Sequence, residues 1–408
     1  MENKICILGL GYIGVPTALL LANAGAEVTG FDIDTDKLEK LKKGELYFEE
    51  KNLGVLFQEV QEKNTFHLSA TVVSSDVFIV AVPTPVSEGV ADLQYVLAAI
   101  DLIKPAFQKG NLIIIESTVG PRDCTDVLIP HIQKWDIDFK FAHCTERAIP
   151  GNTLYEMVHN SRVVGGIDAE SSAAAKGVYE IFTEGEIYLT DPTTAAACKV
   201  MENTYRSVNI ALANEFAKLS EDFGFNVHKA IELTNKHPRV HIHQPGPGVG
   251  GHCIPIDPYF FVTSQNKAGI IAKSLQINED MPKVVVQKVG ALVATHNLAT
   301  PRVLILGYAY KKNVDDARET PSQHLINLLR TEYEVTISDC HIDNPDFLEQ
   351  EEALRSADVV ILATDHDLCQ NIQFSKYPNI AFVYDTRNFF TEEQFKGANA
   401  KLYTLGAH

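Results

Sequence analysis

The stretch from Gly246 to Asp257 sets a cysteine, Cys253, behind Gly248, Gly250 and Gly251, with a carboxylate four positions on at Asp257. Glycine lets backbone and ligand approach closely, so a thiol in such a loop is displayed as a nucleophile. A cysteine in an arbitrary turn would instead read as buried and inert, and two further patterns decide between the readings. Gly9-Leu-Gly11-Tyr12-Ile13-Gly14 follows an apolar run, and Asp32 stands 21 residues after Gly11. Such glycines permit a tight turn that seats a pyrophosphate on a helix N-terminus, and the acid accepts from the adenosine ribose hydroxyls. An acid there also repels a 2′-phosphate, which favours NAD over NADP. Lys199, Asn203 and Arg206 fall at i, i+4 and i+7, one face of a helix, amid Ala, Met and Val. A cation, an amide and a cation suit an oxyanion, and Lys199 can also exchange a proton with a reacting hydroxyl. Together the patterns suggest oxidation of an alcohol in which the thiol traps the carbonyl and carries it to a thioester.

Other candidates surround these. Val82-Pro-Thr84-Pro and Glu116-Ser-Thr118 lie just beyond apolar runs, where ligands bind in open α/β sheets, although both also fit simple turns at strand ends. His237-Pro-Arg239 precedes the cysteine loop, and Tyr310-Lys311 and Asp315-Asp-Ala-Arg318 follow a later apolar run. Taken singly each cation fits a solvated surface. Jointly they supply the positive cluster that a diphosphate requires.

The elements that must carry these groups read as a βαβ series. Ile5–Leu8, Glu27–Phe31, Val77–Val82 and Leu112–Glu116 look like buried parallel strands. A second series runs Arg302–Gly307, Tyr333–Asp339, Asp358–Ala363 and Ile380–Asp385, and its second strand closes on Asp339 as the first series closes on Asp32. The fold class expected is therefore α/β, with two Rossmann-like doubly wound parallel-sheet domains joined by a central region built on a long helix. That helix is expected over Thr194–Phe223, stopped by Gly224, as the backbone of the joint and a dimer surface. The domain boundaries expected are 1–192, 193–298 and 299–408.

Composition sets limits. A chain of 408 residues predicts two or three domains, and 45% hydrophobic with 22% charged residues is ordinary for a globular protein. The formal net charge of −18, from 35 basic and 53 acidic residues, argues against nucleic acid and anionic membrane as partners. Seven scattered cysteines form no C-x-x-C pair, which suggests reduced thiols in a cytoplasmic protein with neither a disulfide framework nor a metal site. The apolar stretch Ile5–Ala26 imitates a membrane span but is broken by Gly9, Gly11, Gly14 and Pro16, so neither a signal peptide nor a transmembrane helix is expected.

These motifs together resemble the UDP-glucose/GDP-mannose dehydrogenase family over nearly the whole chain. The matching stretches are G-L-G-Y-I-G at 9–14, V-P-T-P at 82–85, E-S-T at 116–118, T-E-R-A-I-P-G at 145–151, K-V-M-E-N-T-Y-R-S-V-N-I-A-L-A-N-E at 199–215, G-V-G-G-H-C-I-P-I-D-P at 248–258 and D-D-A-R-E-T-P at 315–321. The resemblance implies a four-electron oxidation of a UDP-sugar C6 hydroxyl with two NAD, through a Cys253 thiohemiacetal and thioester. It implies Glu146 as a base for hydrolysis and Thr118 and Asp257 as groups that position water or support Lys199. Arg147 and Ala148 would meet the sugar. Arg206, His237, Arg239, Gly250, Tyr310 and Lys311, with Lys199 and Asn203, would hold the UDP-sugar, Arg239 reaching the other subunit's site, and Arg318 would bridge to NAD. Residues 237–253 are most similar to members acting on UDP-N-acetyl-D-mannosamine, while the I-P-I-D-P segment also resembles those acting on UDP-N-acetylglucosamine. His252 and Ile256, where UDP-glucose enzymes typically carry Ser or Tyr and Lys, count against UDP-glucose. Two other readings stay open from the residues: a dinucleotide-binding redox sensor without catalysis, and a two-electron dehydrogenase of the hydroxyacid or 6-phosphogluconate type. The second would need neither the thiol nor a second nucleotide-type domain.

Overall fold

Strand residues of the first series alternate between two apolar clusters. Ile5, Ile7, Val77, Ile79, Leu112 and Ile114 enter one cluster, and Cys6, Leu8, Phe78, Val80, Ile113 and Ile115 enter the other. A sheet buried on both faces is what near-continuous β-branched runs specify. The computed structural model, which describes residues 4–87, 90–262 and 269–407, has ten strands in this part of the chain. They are β1 (Lys4–Leu8), β2 (Glu27–Phe31), β3 (Phe66–Ser69), β4 (Val77–Val80), the small hairpin β5 (Val86–Ser87) and β6 (Val90–Ala91), β7 (Leu112–Ile115), β8 (Lys140–His143), β9 (Arg162–Gly166) and β10 (Ile187–Thr190). Eight of them form one sheet in the order β10-β9-β8-β7-β4-β1-β2-β3. All neighbours are parallel except β8 and β9, so the last two strands run against the rest.

The second series repeats the plan. The strands β11 (Arg302–Leu306), β12 (Glu334–Ser338), β13 (Val359–Leu362), β14 (Phe382–Asp385) and β15 (Lys401–Thr404) form a parallel sheet in the order β12-β11-β13-β14-β15. Val303, Ile305, Val359 and Ile361 pack on one face with residues of long helices, among them Ala213, Ala217, Met281 and Val285. Leu304, Leu306, Val360 and Leu362 pack on the other. The fold class expected from the sequence is the one observed.

The long helix runs Pro192–Phe223 and ends at Gly224, whose φ of +72° only glycine adopts without strain. Helices Val227–Thr234 and Gly269–Thr295 follow it. The chain divides into two compact units, one of residues up to Glu202 with the short stretch beginning at Tyr259, the other of Asn203–Pro258 with the C-terminal part. The division falls within the long helix, so Lys199 belongs to the first unit and Asn203 and Arg206 to the second. Among the described residues no helix is long and apolar enough to cross a membrane.

Candidate active site

In the first unit the glycine turn is fixed by contact. Gly9 has φ +95°, and an added Cβ would stand 2.6 Å from the Ala81 carbonyl oxygen; at Gly14 it would stand 1.8 Å from the Gly9 carbonyl oxygen. Gly11 meets no atom within 4 Å, which leaves its side of the turn open to a ligand. The helix Gly14–Asn23 begins here with no side-chain cap and no acid in its first turn; the Val15 amide donates to the Gly11 carbonyl at 3.1 Å and Pro16 carries no N–H, so a phosphate would meet the glycine turn and the very start of the helix, where the dipole favours an anion. Tyr12 and Ile13 are half-buried on the turn, and Tyr12 stacks on Phe48 at 4.3 Å. Asp32 accepts from the Leu10 amide at 2.8 Å and, through its other oxygen, from the Asp34 amide at 2.9 Å. Each oxygen retains a lone pair for a ribose hydroxyl. Lys37 lies 3.7 Å from Asp32. This cradle of glycines, uncapped helix end and acid fits NAD.

Thr84 and Thr118 are half-buried just past β4 and β7. Ser117 ties the two segments together by donating to the Val82 carbonyl at 2.7 Å. Past β8, Glu146 and Lys199 form a buried pair. Lys199 Nζ donates to the Glu146 carbonyl oxygen at 2.9 Å and to its carboxylate at 3.1 Å, while the Ala148 amide donates to the other carboxylate oxygen. Arg147, expected to meet the sugar, donates to Ser161 and pairs with Glu202 at 2.5 Å. His143, which sequence reasoning missed, is wholly buried, and its ring nitrogens have no hydrogen-bond partner among the described residues. Burial and then the Lys199 charge push its pKa down to about 4, so the ring is neutral at physiological pH.

In the second unit the cysteine loop closes a tight turn. The Ile256 and Asp257 amides both donate to the Cys253 carbonyl, at 3.2 and 2.8 Å, and the Cys253 side chain is exposed. Asn203 Nδ2 donates to the buried Asp257 carboxylate at 2.6 Å, so Asn203 and Asp257 act as one unit. The glycines also serve close packing, a reason that their spacing in the sequence did not show. A Cβ on Gly251, whose φ is +84°, would stand 2.7 Å from the Tyr310 ring, one on Gly250 would stand 2.8 Å from Tyr310 Cβ, and one on Gly248 would stand 2.7 Å from Pro321. Gly251 also donates to the Arg318 carbonyl at 3.1 Å. The loop is thus seated on the turn after β11, which brings Tyr310 to the cysteine. Burial first, then the Asp316 and Cys253 charges, raise the Tyr310 hydroxyl to about 12. Arg318 grips Asp316 with Nε at 2.8 and 3.0 Å and Nη2 at 2.6 Å. Burial and then the Arg318 charge push His252 below its ordinary value.

Of the remaining candidates, Arg206 and Lys311 are half-buried, and His237 and Arg239 are exposed, the Arg239 amide donating to His237 Nδ1 at 3.3 Å. Arg387, just past β14, was not singled out. It donates to the Ala363 carbonyl at 2.8 Å and lies so close to Gly246 that an added Cβ would stand 2.8 Å from its guanidinium. Its signal was its place two residues after the strand-closing Asp385. The sequence offered no metal-ligand spacing, yet Cys340, His341 and His366 bring ligand atoms within 4.8 Å of one another. His366 is committed elsewhere. Its Nδ1 accepts from the Asn313 amide at 3.0 Å and its Nε2 donates to Asp339 at 3.0 Å, a tautomer with no lone pair for a metal.

Models of the UDP-glucose/GDP-mannose dehydrogenase family match three stretches: the NAD binding domain at residues 3–183, the central domain at 193–281 and the UDP binding domain at 304–392. The chain is 42% identical to a UDP-N-acetyl-D-mannosamine dehydrogenase of Methanocaldococcus jannaschii, over 99% of this chain and 96% of that protein. The solved UDP-D-ManNAc dehydrogenase of Pyrococcus horikoshii superposes with a TM-score of 0.94 at 34% identity, covering 99% of each chain. That of Staphylococcus aureus, a UDP-N-acetyl-mannosamine dehydrogenase, gives 0.89 at 37%, covering 99% of this chain and 98% of its own. The glycine cradle, the acid at Asp32 and the second nucleotide-type sheet agree with these matches, and the chain belongs to the UDP-glucose/GDP-mannose dehydrogenase family as an NAD-dependent nucleotide-sugar dehydrogenase.

Proposed function

We propose that the enzyme oxidises the C6 hydroxyl of UDP-N-acetyl-D-mannosamine to the carboxylate, giving UDP-N-acetyl-D-mannosaminuronate as a precursor for surface polysaccharide. NAD, when bound, supplies the hydride acceptor for each of two successive oxidations. In the first, Lys199, as the neutral amine, takes the hydroxyl proton as the C6–H bond breaks, and the ammonium so formed, with Asn203, stabilises the negative charge that develops on the oxygen. The Cys253 thiolate then adds to the aldehyde carbon, giving a thiohemiacetal in its alkoxide form. Loss of the second hydride leaves a Cys253 thioester, and water attacks its carbonyl with Glu146 taking the proton and the thiolate leaving. Thr118 and Asp257 orient the water and Lys199. Arg147, Ala148, Arg206, His237, Arg239, Gly250, Tyr310 and Lys311 bind the UDP-sugar, and Arg318 bridges to the cofactor.

The observation that supports the covalent route is the exposed Cys253 held in a loop that Tyr310, Arg318 and Asp257 fix at the backbone. The full-length identity to UDP-N-acetyl-D-mannosamine dehydrogenases supports the sugar. We read the division into residues 1–192, 193–298 and 299–408 as cofactor, central and UDP-sugar parts of a cytoplasmic homodimer. The test offers purified enzyme a panel of UDP-sugars with NAD and counts NADH per sugar. A site that hydrogen-bonds one acetamido group rejects the wrong epimer by leaving buried polar groups unpaired. UDP-N-acetylmannosamine should yield two NADH, UDP-N-acetylglucosamine should react poorly and UDP-glucose hardly at all. A higher kcat/KM for UDP-N-acetylglucosamine would overturn the epimer, and one NADH per sugar, or full acid formation by Cys253→Ser, would overturn the thioester.

A further inference from the structure

A wholly buried carboxyl stands at the end of β7 and takes no part in the chemistry proposed above. Glu116 accepts from the Thr17 hydroxyl at 2.9 Å through one oxygen and from the Tyr179 hydroxyl at 3.2 Å through the other. Arg162 Nη1 lies 3.8 Å away, the two side chains being 0% and 4% exposed. Burial outweighs Arg162 and holds the Glu116 pKa up to about 7, so the group is costly to keep inside the fold.

Its location suggests what it does. The helix Gly14–Asn23, which starts at the glycine turn, has no side-chain cap, and this leaves that end without a side-chain anchor of its own. Thr17, fully buried in the first turn, is the residue that reaches across 99 positions of chain to Glu116. Glu116 is itself fixed, since its amide donates to the Val80 carbonyl at 2.9 Å and the next residue's amide to the same oxygen at 3.1 Å. Cys144, two residues before Glu146, is tied to the same strand end by its amide to the Ile115 carbonyl at 3.0 Å. One carboxyl therefore joins the dinucleotide turn to the strand end that carries Thr118.

We propose that Glu116 is a positioning residue for the cofactor, acting through Thr17 to hold the uncapped end of the Gly14–Asn23 helix in register with Thr118. The proposal rests on NAD occupying the glycine turn. Calorimetric titrations of NAD and, separately, of UDP test it on the full chain, with thermal melting as the control for folding. Thr17→Val keeps shape and removes only the hydroxyl, and it should weaken NAD binding roughly tenfold while UDP binding stays within twofold. Tyr179→Phe removes the other hydrogen bond to the same carboxyl and should leave NAD binding within twofold. If Thr17→Val binds NAD as the wild type does, if UDP binding falls in parallel, or if Tyr179→Phe matches Thr17→Val, Glu116 is only a core support and the proposal fails. Wild-type enzyme that bound no NAD would instead overturn the cofactor site itself.

Discussion

The Lys199 side chain is buried, 7% exposed, and its carboxylate partner Glu146 is 10% exposed. Removing one member of such a pair strands the other charge, typically at about 3–5 kcal/mol. A kinetic loss in Lys199→Met would therefore mix lost chemistry with strain from an unpaired Glu146, and a second substitution is needed to separate them. Lys199→Met with Glu146→Gln should recover most of the stability lost in Lys199→Met, yet its kcat should lie about 10² or more below that of Glu146→Gln alone, the usual effect of losing an oxyanion donor, since the single Glu146→Gln variant already carries the loss of the hydrolytic base. A double variant as stable and as fast as Glu146→Gln would make Lys199 a structural residue. The sequence showed Lys199 and Asn203 one turn apart on a helix, because that spacing is local. Their partners, Glu146 and Asp257, lie 53 and 54 positions away, and nothing local selects them.

At the scale of elements, the two nucleotide-type turns are built alike. Asp32 accepts from Leu10 after β1, and Asp339 accepts from Tyr308 and Ala309 after β11 at 2.5 and 2.8 Å. That internal repeat was legible from two acids closing two strands, as were the long helix and its stop at Gly224. The edge strand β15 was not, since Lys401–Thr404 is short and exposed to half-exposed and carries little apolar pattern. The run Gly248–Gly251 was visible, but its reason was not, because the ring that demands it comes from Tyr310. This gives a prediction at the level of the loop. Gly251→Ala combines a left-handed φ of +84° with a Cβ placed 2.7 Å from that ring, so the loop must move. The variant should lose kcat by at least tenfold with NAD affinity unchanged, measured by steady-state kinetics and NAD titration. Wild-type kcat would show that the seating of the loop on Tyr310 does not matter to Cys253.

For the molecule as a whole, the first unit carries two buried groups whose ionisation works in opposite directions. Glu116 is held up to about 7 from 4.5, and His143 is held down to about 4 from 6.5. Between pH 4.5 and 7 the unfolded chain has released the Glu116 proton that the fold still holds, so this group makes stability fall as pH rises. Between pH 6.5 and 4 the unfolded chain takes up a proton on His143 that the fold refuses, so that group makes stability fall as pH drops. Each effect is on the order of 3 kcal/mol, and they offset each other over the shared window. The chain's single tryptophan, Trp135, is buried against Phe107 in this unit and reports its unfolding by fluorescence. In urea titrations, Glu116→Gln retains the His143 contribution, which rises with pH, and His143→Asn retains the Glu116 contribution, which falls. Other titrating groups are common to both variants and cancel in the difference, so the stability of Glu116→Gln minus that of His143→Asn must rise between pH 4.5 and 6.5. A difference that stayed flat or fell would mean that one of the two side chains is not buried in the protonation state the fold imposes on it.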